Sequence, residues 1–186
     1  QLAGYAEFAT KYLGLKRILP LNSGVEAVEA GIKLARKWAV KKKGLNEGMA
    51  KIVFCADNFH GRTMAAISAS TSPGARKDFG PFVPNFLTIP FGDIKALEET
   101  LADPAVCAFF VEPIQGEGGV VVPPEGYLRA VRELCTKKNV LFVADEIQTG
   151  LGRTGKLLAC HHEGVMPDIL LLGKSLGGGL LPVSAV

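Results

Sequence analysis

At 186 residues the chain can bury one substantial core, and 48% hydrophobic with 21% charged residues is the balance of an ordinary α/β protein, not of a disordered or fibrous one. A net charge of +3 gives no reason to expect a nucleic-acid partner, and no apolar run approaches the roughly 20 residues that cross a bilayer, so no membrane role is expected. The cysteines Cys55, Cys107, Cys135 and Cys160 form no C-x-x-C pair, which excludes a zinc ribbon and favours reduced thiols over disulfides.

In chain order, Leu2, Tyr5, Phe8, Ala9 and Tyr12 recur at helical spacing. Ser23 and Glu26 then make the S-x-x-E capping box of a second helix. Val25, Val28, Ile32, Ala35 and Ala39 are its apolar stripe, and Gly44 is its stop. The Lys41-Lys42-Lys43 run lies where cations favour a helix dipole. At the other end, Ser23-Gly24-Val25 offers free N–H groups and the positive helix pole to an anion, although most capped helices bind nothing.

Lys51–Ala56 reads as a strand, followed by the loop Asp57-Asn58-Phe59-His60-Gly61-Arg62-Thr63. Residues 64–71 read as a short helix, 72–85 as an irregular loop and Phe86–Pro90 as a strand. Asp93 caps a helix stopped by Pro104. Val106–Val111 is a fully apolar strand that ends in Glu112, and a helix through Tyr127, Leu128, Val131, Leu134 and Cys135 follows. The alternation predicts an α/β fold with a largely parallel sheet covered on both faces. The chain begins at Gln1, not Met, and its last residues, Val183–Val186, read as the opening of a strand with an unpaired edge. Both ends therefore look cut.

The chemistry gathers between Val140 and Gly179. The apolar run Val140–Ala144 delivers Asp145 at a strand's C-terminal end, where open α/β sheets meet their ligands. A second run, Ile169–Leu172, ends in Gly173-Lys174-Ser175. One strand end thus carries an anion and the next a primary amine, a pair that suits a pyridoxal phosphate site. The plain alternative is a turn-capping aspartate and a solvated lysine. Two nucleotide motifs fail on counting: a Walker A loop needs glycine at Asp168, and G-x-G-x-x-G from Gly116 needs one at Val121. Cys160-His161-His162-Glu163 lacks ligand spacing, so no metal is expected.

The motifs N-S-G-V-E-A, N-F-H-G-R-T, V-E-P-I-Q-G-E-G-G, V-A-D-E-I-Q-T-G-L-G-R-T-G and L-L-G-K-S-L stand in one order. With them the sequence resembles the class III (subgroup II) pyridoxal phosphate-dependent aminotransferases. Its similarity is greatest to their ornithine-converting branch, through K-L-A-R-K-W, G-P-F-V-P, R-E-L-C-T and G-G-L-L-P-V-S-A-V. The match covers nearly all of this chain but only the middle of the family's length. It implies the large domain of a fold-type I transferase, incomplete at both ends, with residues 1–186 forming part of the cofactor-binding domain.

Position by position, the resemblance implies that Lys174 carries pyridoxal 5′-phosphate as a Schiff base. Asp145 would keep the pyridine nitrogen protonated, and Gln148 would contact the phenolic oxygen. Ile147 and Phe59 would flank the ring, with Gly24 and Val25 at the phosphate. Arg62 would bind a substrate carboxylate, and Glu117 would pair with an arginine outside this sequence. His60 receives no role. The implied reaction moves the δ-amino group of ornithine to 2-oxoglutarate, giving glutamate-5-semialdehyde and glutamate. Other ω-aminotransferases (acetylornithine or 4-aminobutyrate), a racemase or decarboxylase on this fold, and an inactive fragment stay open. The resemblance further implies amino-acid and 2-oxo-acid substrates, a homodimer or higher homo-oligomer, and a cytoplasmic or mitochondrial-matrix location.

Overall fold

Five short, largely apolar strands build a parallel sheet, and its central strands, buried on both faces, need no polar alternation. The computed structural model describes all residues, Gln1–Val186. The strands are β2 (Lys51–Cys55), β3 (Phe86–Ile89), β4 (Val106–Val111), β5 (Leu141–Asp145) and β6 (Ile169–Leu171). They lie side by side as β3-β2-β4-β5-β6, every neighbouring pair parallel. The chain steps outward from β2 to β3, then returns to the other side of β2 for β4. The reversal leaves a crevice above the C-terminal ends of β2 and β4.

Side chains on β4 and β5 alternate between two cores. Phe109, Val111, Phe142 and Ala144 face one, and Phe110 and Val143 face the other. The first is roofed by Leu13 of α1 (Leu2–Leu13), Leu97 of α5 (Ile94–Thr100) and Leu128 of α6 (Tyr127–Lys137). The second is roofed by Val28 and Ile32 of α2 (Gly24–Trp38) and Ala65 of α3 (Met64–Ala69). Phe54, Phe109, Phe110 and Phe142 are fully buried, and each such burial stabilises the fold by about 1.5–3 kcal/mol. The sheet is thus covered on both faces, as the apolar strands predict.

The local expectations hold with informative differences. Asp93 accepts from the Ala96 N–H at 2.9 Å and starts α5, but that helix ends at Thr100, before Pro104 is reached. Within the stretch read as irregular, α4 (Pro73–Arg76) forms a single turn with proline in its first positions. The capping box of α2 forms as the motif predicts. The Glu26 carboxylate accepts from the Ser23 N–H at 2.6 Å, and the Ser23 hydroxyl also donates to that same carboxylate at 2.8 Å. The Ser23 hydroxyl leads the bonds that hold the Glu26 carboxyl below its ordinary range. After Trp38 the helix widens into a π-turn, Ala39–Lys43, and Gly44 ends it in the left-handed region at φ 84°. Lys43 then donates to the Val106 carbonyl, so the basic run both closes the helix end and anchors it to the sheet.

One expectation is corrected. The last residues do begin a strand, β7 (Ser184–Ala185), but its edges are paired. It runs antiparallel to β1 (Pro20–Leu21) on one side, and on the other Ala185 exchanges both backbone hydrogen bonds with Leu172, at 2.9 and 3.0 Å. Tertiary pairing across most of the chain length satisfies groups that local sequence leaves open. The Ser184 hydroxyl adds a 2.6 Å bond to the Ser23 carbonyl, tying this strand to the start of α2.

Candidate functional site

The loops that follow β2, β4, β5 and β6 converge with the start of α2 around a cavity of about 170 Å³. Asp145 ends β5 and lies at its floor, 4% exposed. Its Oδ1 accepts from the Ile147 N–H at 3.1 Å, and its Oδ2 is 2.6 Å from His60 Nδ1. Two donors on different oxygens fix the carboxylate's rotation. Ile147 and Phe59 supply apolar walls, while Gly24 and Val25 bring the first turn of α2 to the rim. Being the first helical residues, their N–H groups have no acceptor within the helix and take none elsewhere in the chain.

Lys174 follows β6 and is held in the left-handed region at φ 41°. For a lysine this costs about 1–2 kcal/mol, a strain met chiefly at functional positions. Its Nζ stands 3.9 Å from Glu117 Oε1, and Gln148 Nε2 donates to that same oxygen at 3.3 Å. Lys174 and Glu117 are about half exposed, so their pairing contributes under about 1 kcal/mol.

Two glycines make this closeness possible. A Cβ on Gly116 would lie 1.3 Å from Gln148 Oε1, so any side chain there displaces Gln148. Gly61 has φ 122°, and a Cβ on it would meet Val25 Cγ2 at 2.3 Å. Arg62 does not line the Asp145 cavity. It borders a larger adjoining space of about 870 Å³, its guanidinium 5.9 Å from the Phe59 ring centre, and Glu117 borders both.

The model of the class-III aminotransferases matches residues 1–186. This chain belongs to that family. It is 59% identical over 185 residues to the mitochondrial ornithine aminotransferase of Drosophila ananassae, covering 100% of this chain and 43% of the relative. The rat mitochondrial ornithine aminotransferase is likewise 59% identical, with 100% and 42% covered. A Toxoplasma gondii ornithine aminotransferase, whose crystals show partial occupancy of PLP at the active site, superposes with a TM-score of 0.97 at 53% identity, over 98% of this chain and 43% of that one. An acetylornithine aminotransferase from Elizabethkingia anophelis gives 0.84 at 50% identity, over 99% and 42%. The chain thus spans less than half the length of these relatives.

In this class-III aminotransferase chain, every residue singled out from the sequence reaches the Asp145 cavity except Arg62. Two ionisable residues given no role there also line it, His60 and Glu112. His60 comes from the loop after β2 and meets Asp145 across the end of β4. Glu112 ends the apolar β4 run, a visible signal, but its burial at 7% exposure was not visible. The Glu112 carboxylate accepts from the Phe59 N–H at 3.1 Å. Burial pushes its carboxyl up to about 7; His60 opposes the rise and the Asp145 charge adds to it.

That shift has a sign. Unfolded, Glu112 loses its proton near pH 4.3, whereas folded it keeps it to about pH 7. The folded state therefore loses stability across that window, and a penalty of about 3 kcal/mol is complete above it. Glu112→Gln keeps an acceptor for Phe59 and removes the charge. In the full-length protein it should match wild type at pH 4 and gain up to about 3 kcal/mol at pH 8 in urea unfolding. Equal stability at pH 8 would contradict a buried, late-titrating Glu112.

Proposed function

We propose that this chain is part of the cofactor-binding domain of a longer aminotransferase that moves the δ-amino group of ornithine to 2-oxoglutarate, yielding glutamate-5-semialdehyde and glutamate. The observation that carries the reading is the convergence of Asp145, Lys174 and the free N–H groups of α2 in one cavity, within a sequence 59% identical to ornithine aminotransferases.

The donor set fits pyridoxal phosphate. A locked carboxylate suits a protonated ring nitrogen, a primary amine suits an aldehyde, unpaired N–H groups suit a phosphate, and Ile147 and Phe59 suit a flat ring. Bound there, the cofactor supplies an electron sink for charge developed at the amino-bearing carbon. Asp145 holds the ring nitrogen's proton by its charge, and Gln148 orients the phenolic oxygen. Gly24 and Val25 hold the phosphate. Lys174 anchors the cofactor and, as a free amine, takes the proton from the donor's amino-bearing carbon and later delivers one to the acceptor's carbonyl carbon. Arg62 binds a substrate carboxylate from the adjoining space. Glu117 lies where it can pair with a further cation and so sort one substrate from the other.

A donor screen on the full-length protein with 2-oxoglutarate tests the assignment. Ornithine should exceed acetylornithine and 4-aminobutyrate in kcat/KM by at least about tenfold, on the order expected from one buried polar group satisfied or lost. A preference for acetylornithine would reassign the substrate and keep the chemistry. Conversion of an amino acid without any 2-oxo acid would replace transamination by racemisation or decarboxylation. We read the full-length protein as a homodimer or higher homo-oligomer of the cytoplasm or mitochondrial matrix; the mitochondrial fly and rat relatives support the latter.

A further inference from the structure

His60 is the most enclosed ionisable side chain at the site, its ring wholly removed from solvent. Phe54 stands 5.6 Å away and Phe110 6.4 Å away, centre to centre, and both are core residues. An imidazole in such a place serves packing only if a hydrophobic ring of similar size would do as well. Here it would not. His60 Nδ1 lies 2.6 Å from Asp145 Oδ2, a distance typical of charge-assisted bonds, whereas Nε2 has no partner at all. A buried ring that spends one nitrogen on a carboxylate and leaves the other orphaned gives up hydrogen-bonding capacity to hold that one contact.

The titratable groups facing the ring are Asp145 from β5 and Glu112 from β4. Burial alone would push the imidazole down; the hydrogen bond and charge of Asp145, aided by Glu112, outweigh it, and the net shift is upward. The pair therefore favours an imidazolium beside a carboxylate. With Oδ2 held by His60 and Oδ1 by the Ile147 N–H, Asp145 cannot rotate freely. Its remaining lone pairs stay available to the cavity.

We propose that His60 is a positioning residue for Asp145: through Nδ1–H it fixes the carboxylate's orientation toward whatever cationic group the cavity receives. This rests on the reading that Asp145 serves a protonated ring nitrogen, but the His60–Asp145 bond itself does not. The two can therefore fail separately.

The test uses the full-length protein carrying this chain, with ¹⁵N-labelled histidine. In the cofactor-free form, His60 should give a far-downfield, slowly exchanging Nδ1–H signal and lose its second ring proton at a higher pH than free histidine does. Asp145→Asn should abolish both features. After loading with pyridoxal phosphate, His60→Phe should shift the pH midpoint of the visible cofactor band by about one unit. It should also lower kcat about tenfold with KM within about twofold, the effect of one lost bond to a charged group. His60→Asn, whose amide sets a neutral donor where Nδ1 stood, should recover most of kcat but not the pH midpoint. A fast-exchanging His60 that titrates no higher than free histidine in the cofactor-free protein overturns the proposal. So does an unchanged kcat and band titration in both variants. If His60→Phe does not fold, the NMR signal and His60→Asn decide alone. Failure of wild type to take up pyridoxal phosphate would overturn the proposed function, and the protonation state of His60 read by NMR would still decide the present proposal.

Discussion

Replacing Lys174 with alanine should lower transamination by the full-length protein about 10³-fold or more, the largest loss expected from any single change. A positioned proton carrier contributes about 10²–10⁴-fold, and Lys174 is the one primary amine lining the Asp145 cavity. The loss should be partly reversed by adding small primary amines. The rescue rate should rise with the amine's basicity, because a diffusing base would then do the work of Nζ. Borohydride reduction and peptide mapping of the loaded wild type should place the pyridoxyl label on Lys174. A label on Lys156 or Lys51, or Lys174→Ala retaining a tenth of the wild-type turnover, would sink the assignment.

Asp145→Asn should come second. The asparagine keeps the size and can still accept from the Ile147 N–H, so the fold and cofactor uptake should survive. What disappears is the negative charge on the cavity floor. Loss of a charge-assisted bond costs about 1.5–3 kcal/mol, or about 10- to 150-fold in rate when it acts on the chemical step. Single-turnover measurements with ornithine should show that slowing in proton removal, with donor binding changed by less than about threefold. If the chemical step runs at the wild-type rate, Asp145 is not the partner of the ring nitrogen.

Much of this was legible because it is local. An apolar run too short for a helix fixed β4 and β5, and therefore put Glu112 and Asp145 at strand ends. Asp93 and Gly44 marked where one helix begins and another stops because capping is decided within a few residues. What sequence could not show depends on strand order. His60 and Asp145 are 85 residues apart, one on the loop after β2 and the other at the end of β5, with β4 between those strands. Only that lateral order brings their side chains within 2.6 Å. Glu112 was recognisable as a carboxylate, but its environment comes from the Phe59 loop folding over it. The Ser23–Glu26 pair shows a subtler limit: the motif was visible, but the added bond from the hydroxyl to the carboxylate was not. Arg62 was in the right loop, yet its side chain points to the neighbouring space.

The bond from the Ser184 hydroxyl to the Ser23 carbonyl joins groups 161 residues apart. Contacts of such separation form late, since the entropy of closing the intervening chain must be met before they return anything. During synthesis β2, β4 and β5 can find one another while residue 184 has yet to emerge. The start of α2, with its two free N–H groups, acquires this fastening only when β7 arrives. If Gly24 and Val25 hold the phosphate as proposed, competence to hold it should lag behind formation of the sheet: a nascent chain would be folded before it is receptive.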